Sequence, residues 1–169
     1  MPQLATGSFP PYFGNYINLV HADSVAQAVD RYSSGILNFF KNVPSDKIDH
    51  RYAEGKWSIK ELLQHIIDTE RIFAYRALRI SRGDKTPLPG FDENSYAAAS
   101  NAAGRTWESL LAEFEATRRS SDLLLLSFSD EQLQQSGITN DHQNTTIAIA
   151  YVVFGHILHH INIVKERYL

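Results

Sequence analysis

The stretch GHILHHINIVKERYL, residues 155–169, decides how this chain is interpreted. Together with the residues before it, it predicts a helix whose apolar stripe is Ile149, Val152, Val153, His156, His160 and Val164. Two histidines therefore lie one turn apart on the side that a helix normally buries. Side chains at positions i and i+4 stand about 5–6 Å apart at Cβ, a spacing that suits two imidazoles sharing one metal ion.

Three further amphipathic segments precede this fourth helix, which begins near residues 145–146. The first covers about residues 22–42, the second lies between Ser58 and Gly83, and the third covers about residues 106–128. Ser58 with Glu61 three residues later forms a capping-box pattern, and Gly83 suits a helix C-terminus. Four helices with one stripe each predict an all-α four-helix bundle, built as a single domain over residues 1–169.

The segments between these helices carry weaker signals. Pro10 and Pro11 predict an irregular N-terminal arm, and SDEQL, residues 129–133, predicts a short helical turn. Residues 84–104 form a long connection interrupted by Pro87, Pro89 and Gly90, and this connection is our candidate for a wall or lid of any pocket. No segment shows the alternation that predicts a β-strand.

A third histidine indicates how the helices run. His65 lies seven residues after Ser58, and His160 lies nine residues before Leu169. In an antiparallel pair, both rings stand roughly 10–14 Å from the same end of the bundle, at about 1.5 Å per residue. A parallel pair would match His156 in height but leave His160 farther away, so the spacing favours the antiparallel arrangement.

An antiparallel second and fourth helix requires one connection that runs the length of the bundle. Crossing about 35 Å takes at least about eleven extended residues. The connection over residues 84–104 is long enough. The sequence therefore predicts up-down-down-up topology, with a long crossover between helices two and three.

Composition excludes several classes of function. The net charge is −3, which gives no reason to expect nucleic acid or an anionic membrane as a partner. The chain has no cysteine, so disulfides and thiolate metal sites are excluded, and a cytoplasmic location is expected. The N-terminal residues do not resemble a signal peptide, and the longest apolar run, residues 147–154, is shorter than the roughly 20 residues of a membrane span.

The chain resembles a known family. WSIKELLQHIIDTERIFAYRAL, residues 57–78, is similar to the W-s-x-x-e-x-x-x-H-x-x-D-x-E-R segment of the DinB-like (YfiT-like) superfamily of metal-binding helix bundles. GHILHHINIVKERYL resembles the closing G-H-x-x-H-H motif of that superfamily, and LPGFDENSYAAAS, residues 88–100, is similar to one branch of it. The likeness covers nearly the whole chain.

The resemblance implies a four-helix bundle with an overhand crossover and a divalent metal held by His65, His156 and His160. It also implies a homodimer. Some members transfer low-molecular-weight thiols or use a thiol cofactor, and some are named hydrolases. The expected function is therefore a metal-dependent transferase or hydrolase acting on a small molecule or thiol. The alternative is a non-catalytic metal-containing bundle with a structural or binding role.

The chemistry of three histidines supports this interpretation but does not complete it. Three protein ligands leave a divalent ion with open positions for water or substrate. Nitrogen ligands favour Zn or Ni, with Fe or Mn less favoured by affinity. No catalytic residue is assigned, and roles for Asp68 and His159 near the metal stay open. Glu70 is expected to point outward, and Arg76 is expected either to form a surface ion pair or to bind an anionic substrate group.

Overall fold

The structure, a computed structural model, describes Leu4 and residues 7–169 of the chain. In chain order, its elements are α1 (Gly14–Ile17), α2 (Val25–Lys41), α3 (Ile59–Ser81), α4 (Glu93–Ala99), α5 (Trp107–Leu126), α6 (Asp130–Gln134), β1 (Ser136–Thr139), β2 (His142–Thr145) and α7 (Thr146–Arg167). Short 3-10 turns cover Pro11–Phe13 and Ala102–Gly104. The four long helices α2, α3, α5 and α7 lie where the sequence predicts them.

Side-chain caps fix where the long helices begin. The caps are Ser24, Ser58, Thr106 and Thr145, and each accepts a hydrogen bond from the backbone N–H three residues later. At Ser58 the predicted capping box is present, because the Glu61 carboxylate also accepts from the Ser58 backbone N–H at 2.7 Å. Gly83 follows α3 with φ +79°, the left-handed conformation expected for its role as a helix terminator.

Contacts along α3 give the direction of its two neighbours. The Tyr168 hydroxyl, just after α7, donates to the Trp57 carbonyl just before α3, so α3 and α7 are antiparallel. Arg71 pairs with Glu113 near the beginning of α5, whereas the Arg82 guanidinium lies over the ring of Phe128, beyond the end of α5. The helices α3 and α5 are therefore parallel.

The first helix completes the bundle. Near the middle of α2, Tyr32 lies 6.4 Å from the ring of Phe154 on α7, and farther along Lys165 lies over the ring of Phe39. The helices α2 and α7 are therefore parallel to each other and antiparallel to α3. The predicted up-down-down-up topology is confirmed, with residues 82–106 crossing back between α3 and α5.

Two short strands correct the expectation that the chain has none. β1 and β2 pair as an antiparallel hairpin, and Leu88 of the crossover adds an isolated bridge to Thr139. Asn140 and Asp141 form the hairpin turn with positive φ angles of 49° and 62°. Because the hairpin is short and mostly polar, its sequence, SGITNDHQNT, shows little of the apolar alternation that predicts strands.

The N-terminal arm is more regular than expected. Its helical turns end in α1, which packs against the middle of α7. A Cβ atom on Gly155 would stand only 2.2 Å from the backbone carbonyl oxygen of Tyr16. Gly155 is thus required for the close approach of α1 to α7, directly beside His156.

A buried ion cluster lies at the centre of the bundle. Arg118 on α5 donates to the Glu70 carboxylate at 2.9 Å and pairs with Asp122. It also donates to the Ser33 hydroxyl at 3.3 Å, and its guanidinium lies 4.8 Å from the ring of Phe154. Arg118 therefore contacts all four long helices, and the expectation that Glu70 points outward is wrong.

The last helix is apolar because the bundle surrounds it. By length and composition alone, α7 is long and apolar enough to cross a membrane. In the structure, 67% of its most apolar window is buried against the other helices, as in the core helix of a soluble bundle.

Candidate metal centre

Three histidine side chains converge between α3 and α7. The Nε2 atom of His156 lies 3.1 Å from Nε2 of His65 and 3.0 Å from Nε2 of His160. One nitrogen from each ring lies within 4.8 Å of the others. The structure therefore brings together the three residues that the sequence singles out.

Local helix geometry explains the convergence. His156 and His160 lie one turn apart on the face of α7 that packs against α3. His65 lies early in α3, and because the two helices are antiparallel this places it beside the C-terminal part of α7. Its ring centroid lies 5.1 Å from that of His156 and 5.0 Å from that of His160.

Burial keeps these rings neutral. It lowers the pKa of His65 to about 4 and, with help from the neighbouring histidines His65 and His159, lowers that of His160 to about 3. Burial also lowers the pKa of His156 well below its ordinary value, and the three surrounding histidines lower it further. Metals bind imidazole in its neutral form, so the site needs no proton release at neutral pH.

The donor set fits a metal ion better than it fits hydrogen bonding. A neutral imidazole nitrogen carries either one hydrogen or one lone pair, so Nε2 of His156 cannot form good hydrogen bonds to both of its neighbours. Nitrogen ligands at about 2.0–2.1 Å from a tetrahedral ion are roughly 3.3 Å apart. The two Nε2 separations at His156, 3.0 and 3.1 Å, are close to that value.

Neighbouring groups orient the rings. The ring of Trp57 lies 4.8 Å from that of His65, and the Thr69 hydroxyl lies 3.4 Å from Nδ1 of His65. On the other side, Tyr16 contacts His156 with 5.5 Å between ring centroids. Such contacts restrict ring rotation and support the use of Nε2 toward a metal. Nδ1 of His160 is buried and has no hydrogen-bond partner in the described part of the chain.

A cavity of about 390 Å³ opens onto the three rings. Its other described lining residues are Tyr12, Phe13, Tyr16, Trp57, Thr69, Phe73, Arg76, Gly90, Phe91, Glu93 and Asn140. Gly90 and Phe91 confirm the prediction that the crossover forms a wall of the pocket. The aromatic residues from the N-terminal arm, Glu93 and Asn140 were not anticipated, because their loops and short elements carry no periodic signal that relates them to the histidines.

The remaining candidate residues lie around this centre. Asp68 is half-buried and accepts a hydrogen bond from Gln64 at 2.9 Å, and it is not part of the converging group. His159 packs against Tyr16 with 5.4 Å between ring centroids and is also outside the group. Arg76 is buried and lines the cavity, so the expectation of a surface ion pair is wrong.

The fold and the histidine group together define a class of protein: an up-down-down-up helix bundle with a three-histidine cluster suited to a divalent metal. The model of the DinB superfamily matches residues 29–164. The chain belongs to that superfamily.

Two other proteins are similar to this chain. A protein of Oceanobacillus iheyensis named "Putative metal-dependent hydrolase" is 25% identical over 124 residues, which cover 72% of this chain and 69% of the relative. The structure of YfiT from Bacillus subtilis is titled as that of a probable metal-dependent hydrolase with an unusual four-helix bundle topology. It matches with a TM-score of 0.69 and 16% identity, over 98% of this chain and 91% of that chain, which shows a shared fold.

Proposed function

We propose that this protein is a metal-dependent hydrolase whose divalent ion is held by His65, His156 and His160. The observation that carries the proposal is the convergence of three imidazole nitrogens, from the buried His65 and His156 and the half-buried His160, in the wall of a cavity. The names of the relatives described above support hydrolysis. Zn or Ni suits the nitrogen ligands best, and Fe or Mn binds them less tightly.

Each part of the site has a role in this proposal. A divalent ion held by these three residues would keep open coordination positions, where it would polarise a substrate and lower the pKa of water. The three histidines hold that ion at the base of the cavity. The aromatic walls, including Trp57 and Phe73, restrict access of bulk water. Glu93 is the carboxylate among the described lining residues. In this proposal it is the general base that accepts a proton from the attacking water.

A structural role is the second candidate, and one observation favours it. His65 and His156 lie 91 residues apart in sequence and belong to different helices. An ion bound between them would tie α3 to α7 and stabilise the bundle without any reaction. The two candidates agree on the metal and differ only in turnover.

The first experiment measures metal content and stability. The full chain is loaded with Zn²⁺, dialysed, and its metal is quantified for wild type, His160→Ala and the control His50→Ala, which changes a histidine outside the cluster. We expect one ion per chain in wild type and in the control, and substoichiometric metal in His160→Ala. A wild-type protein without stoichiometric metal would overturn both candidates.

The second experiment separates hydrolysis from a structural role. The metal-loaded proteins are assayed against a panel of esters, amides and lactones, with and without an added low-molecular-weight thiol. Hydrolysis that is present in wild type and His50→Ala, and lost in His160→Ala, supports the proposal. Turnover only with thiol would indicate the transferase reaction that the resemblance implies, and metal-dependent stabilisation without turnover would indicate the structural role.

Two further expectations stay predictions. The homodimer implied by the family resemblance is checked by sedimentation of the full chain over a range of concentrations. The cytoplasmic location is checked by fractionation of the source cells.

A further inference from the structure

Arg76 is a buried cation on the same side of α3 as the histidine that contributes to the metal centre. Its residue is only 5% exposed, and it lines the cavity together with the three histidines. A guanidinium has five N–H donors. The hydrogen bond found for Arg76 among the described residues goes from Nη2 to the carbonyl oxygen of Pro89, at 2.7 Å. Most of its donors are therefore available to another group.

Arg76 also lacks a counter-ion. No carboxylate of the described residues lies within 4.0 Å of its guanidinium, including Glu93 in the same cavity. The other buried arginine, Arg118, is matched by Glu70 and Asp122. Burial of a charged group costs free energy unless the group is paired. In Arg76, burial lowers the pKa, and the only opposing influence is the hydroxyl of Tyr12.

A polar side chain from the hairpin turn contacts the crossover one residue beyond the carbonyl that accepts from Arg76. Pro89, which accepts from Arg76, is followed by Gly90, and a Cβ at Gly90 would lie 2.1 Å from Oδ1 of Asn140. Asn140 is held at the tip of the hairpin with φ +49° and lines the cavity. Arg76 and Asn140 therefore lie against two adjacent residues of the crossover, Pro89 and Gly90.

The guanidinium lies within reach of a molecule bound at the histidines. Its Cζ atom is 6.0 Å from the ring centroid of Phe73, and that centroid is 5.9 Å from the ring of His156. The separation between Arg76 and His156 cannot exceed these two distances together. A small organic molecule of a few carbon atoms spans such a gap.

We propose that Arg76, with Asn140 beside it, forms a subsite that binds a carboxylate of the substrate while another group of the same molecule reaches the metal. The inference rests on the proposed function and adds the class of substrate, a small organic acid. A planar guanidinium matches a carboxylate through two parallel hydrogen bonds. One cation balances a single negative charge, which favours a carboxylate over a doubly charged phosphate.

The test compares ligands that differ by one charge. Succinate, glutarate, adipate and pimelate are each titrated against their own monomethyl esters by calorimetry, using the metal-loaded full chain. One carboxylate of each compound can reach the metal, and only the diacid offers a second one to Arg76. We expect at least one diacid to bind about tenfold or more tightly than its ester to wild type.

Substitutions locate the source of that preference. Arg76→Met removes the charge and should reduce the ratio of diacid to ester affinity to about one. Arg76→Lys keeps the charge without the planar fork and should retain part of the ratio. Arg82→Met is the matched control, since Arg82 directly follows the same helix and is exposed outside the cavity, and it should leave the ratio unchanged.

The outcomes separate the two proposals. A purely structural Arg76 would weaken diacid and ester equally, so an unchanged ratio in Arg76→Met overturns the inference. Wild-type protein that carries its metal and prefers no diacid also overturns it, while the proposed function stands. Wild-type protein that takes up no metal overturns the proposed function itself. If Arg76→Met does not fold, the wild-type ratio and Arg76→Lys still decide.

Discussion

Two buried polar clusters include residues of α3, and they differ in how their polar groups are compensated inside the bundle. The cluster around Arg118 is closed: its cation is matched by Glu70 and Asp122, and the side chains of Arg118 and Glu70 are 0% and 1% exposed. The histidine cluster, which begins only five residues earlier on α3, contains neutral rings whose nitrogens face one another. It offers three nitrogen donors and no negative charge of its own to balance a cation.

The Arg118 cluster contributes stability through the chain's own residues. The histidine cluster contributes its full stability only when a metal ion is bound. An ion cluster whose members all belong to the chain contributes to the fold without any bound group. A group of neutral nitrogen donors reaches its full stabilisation only with a cation. The comparison therefore predicts distinct responses to pH, charge removal and metal.

Acid should affect the histidine cluster most. Without metal, the folded pKa of His65 is about 4 and that of His160 about 3, against 6.5 for the unfolded chain. Below pH 6.5 the unfolded state takes up protons that the folded rings exclude, so stability present above 6.5 falls as the pH decreases toward 4. At about 1.4 kcal/mol per pH unit and ring, His65 and His160 together lose up to about 4 kcal/mol at pH 5, and His156 adds to the loss in the same direction.

Urea unfolding of the metal-free chain at pH 7, 6 and 5 measures this loss. The control His156→Leu/His160→Leu removes two of the rings and retains the Arg118 cluster, so it should lose only about a third as much stability. Equal pH dependence in both proteins would show that the histidines do not govern it.

Breaking the Arg118 cluster should produce the largest loss at pH 7 that does not depend on metal. Arg118→Met leaves Glu70 and Asp122 without their cation, and removal of one partner from a buried pair costs about 3–5 kcal/mol. Arg119→Met, at the exposed neighbouring position, should change stability by less than about 0.5 kcal/mol. Chemical unfolding at pH 7 compares the two variants, and similar values for both would contradict the structural role of Arg118.

Metal should stabilise one cluster without involving the other. At a free Zn²⁺ concentration 100 times Kd, wild type should gain about 2.7 kcal/mol in the free energy of unfolding. His156→Ala should gain nothing, and a chelator should reverse the gain in wild type. Thermal unfolding with and without Zn²⁺ checks this. Loss of the response in Arg118→Met, where the protein still folds, would show that the two clusters are coupled.

The smallest effect concerns the backbone beside the histidines. A methyl group at Gly155 would meet the carbonyl oxygen of Tyr16 at 2.2 Å, so Gly155→Ala should displace α1 and cost about 1–2 kcal/mol. At Gly35 in α2 nothing lies within 4 Å of an added Cβ, so Gly35→Ala should instead stabilise by about 0.5–1 kcal/mol. Chemical unfolding checks the two opposite signs, and a stabilised Gly155→Ala would contradict the close packing of α1.

Helical periodicity was sufficient to predict the four long helices and their order in the bundle. The positions of His65 and His160 along their helices then predicted that helices two and four are antiparallel. The length of the connection over residues 84–104 predicted the crossover. These inferences succeed because 3.6-residue periodicity and a fixed rise per residue are properties of the helix itself. The same geometry predicted that the three histidines could meet.

The hairpin and the arginines depend on tertiary contacts that periodicity does not contain. Arg118 continues a stripe with Phe114 and Ser121, and Arg76 falls between Phe73 and Ile80 on α3. A charged residue on an apolar stripe was thus a visible signal of burial. The partner of Arg118 could not be predicted, since Glu70 lies on another helix. Arg76 has no carboxylate partner among the described residues, so there was none to predict.

The long crossover also bears on how the chain acquires its site. His65 and His156 are 91 residues apart, so an ion bound as proposed would close a loop that contains the crossover, α5 and the hairpin. Closing a loop of about 100 residues removes unfolded-state entropy worth about 4.7 kcal/mol in the chain-entropy model for cross-links. During synthesis, His65 is made long before His156 and His160, so the three histidines can meet only after α7 has been synthesised. The proposed centre could therefore assemble only once α7 has packed against α3.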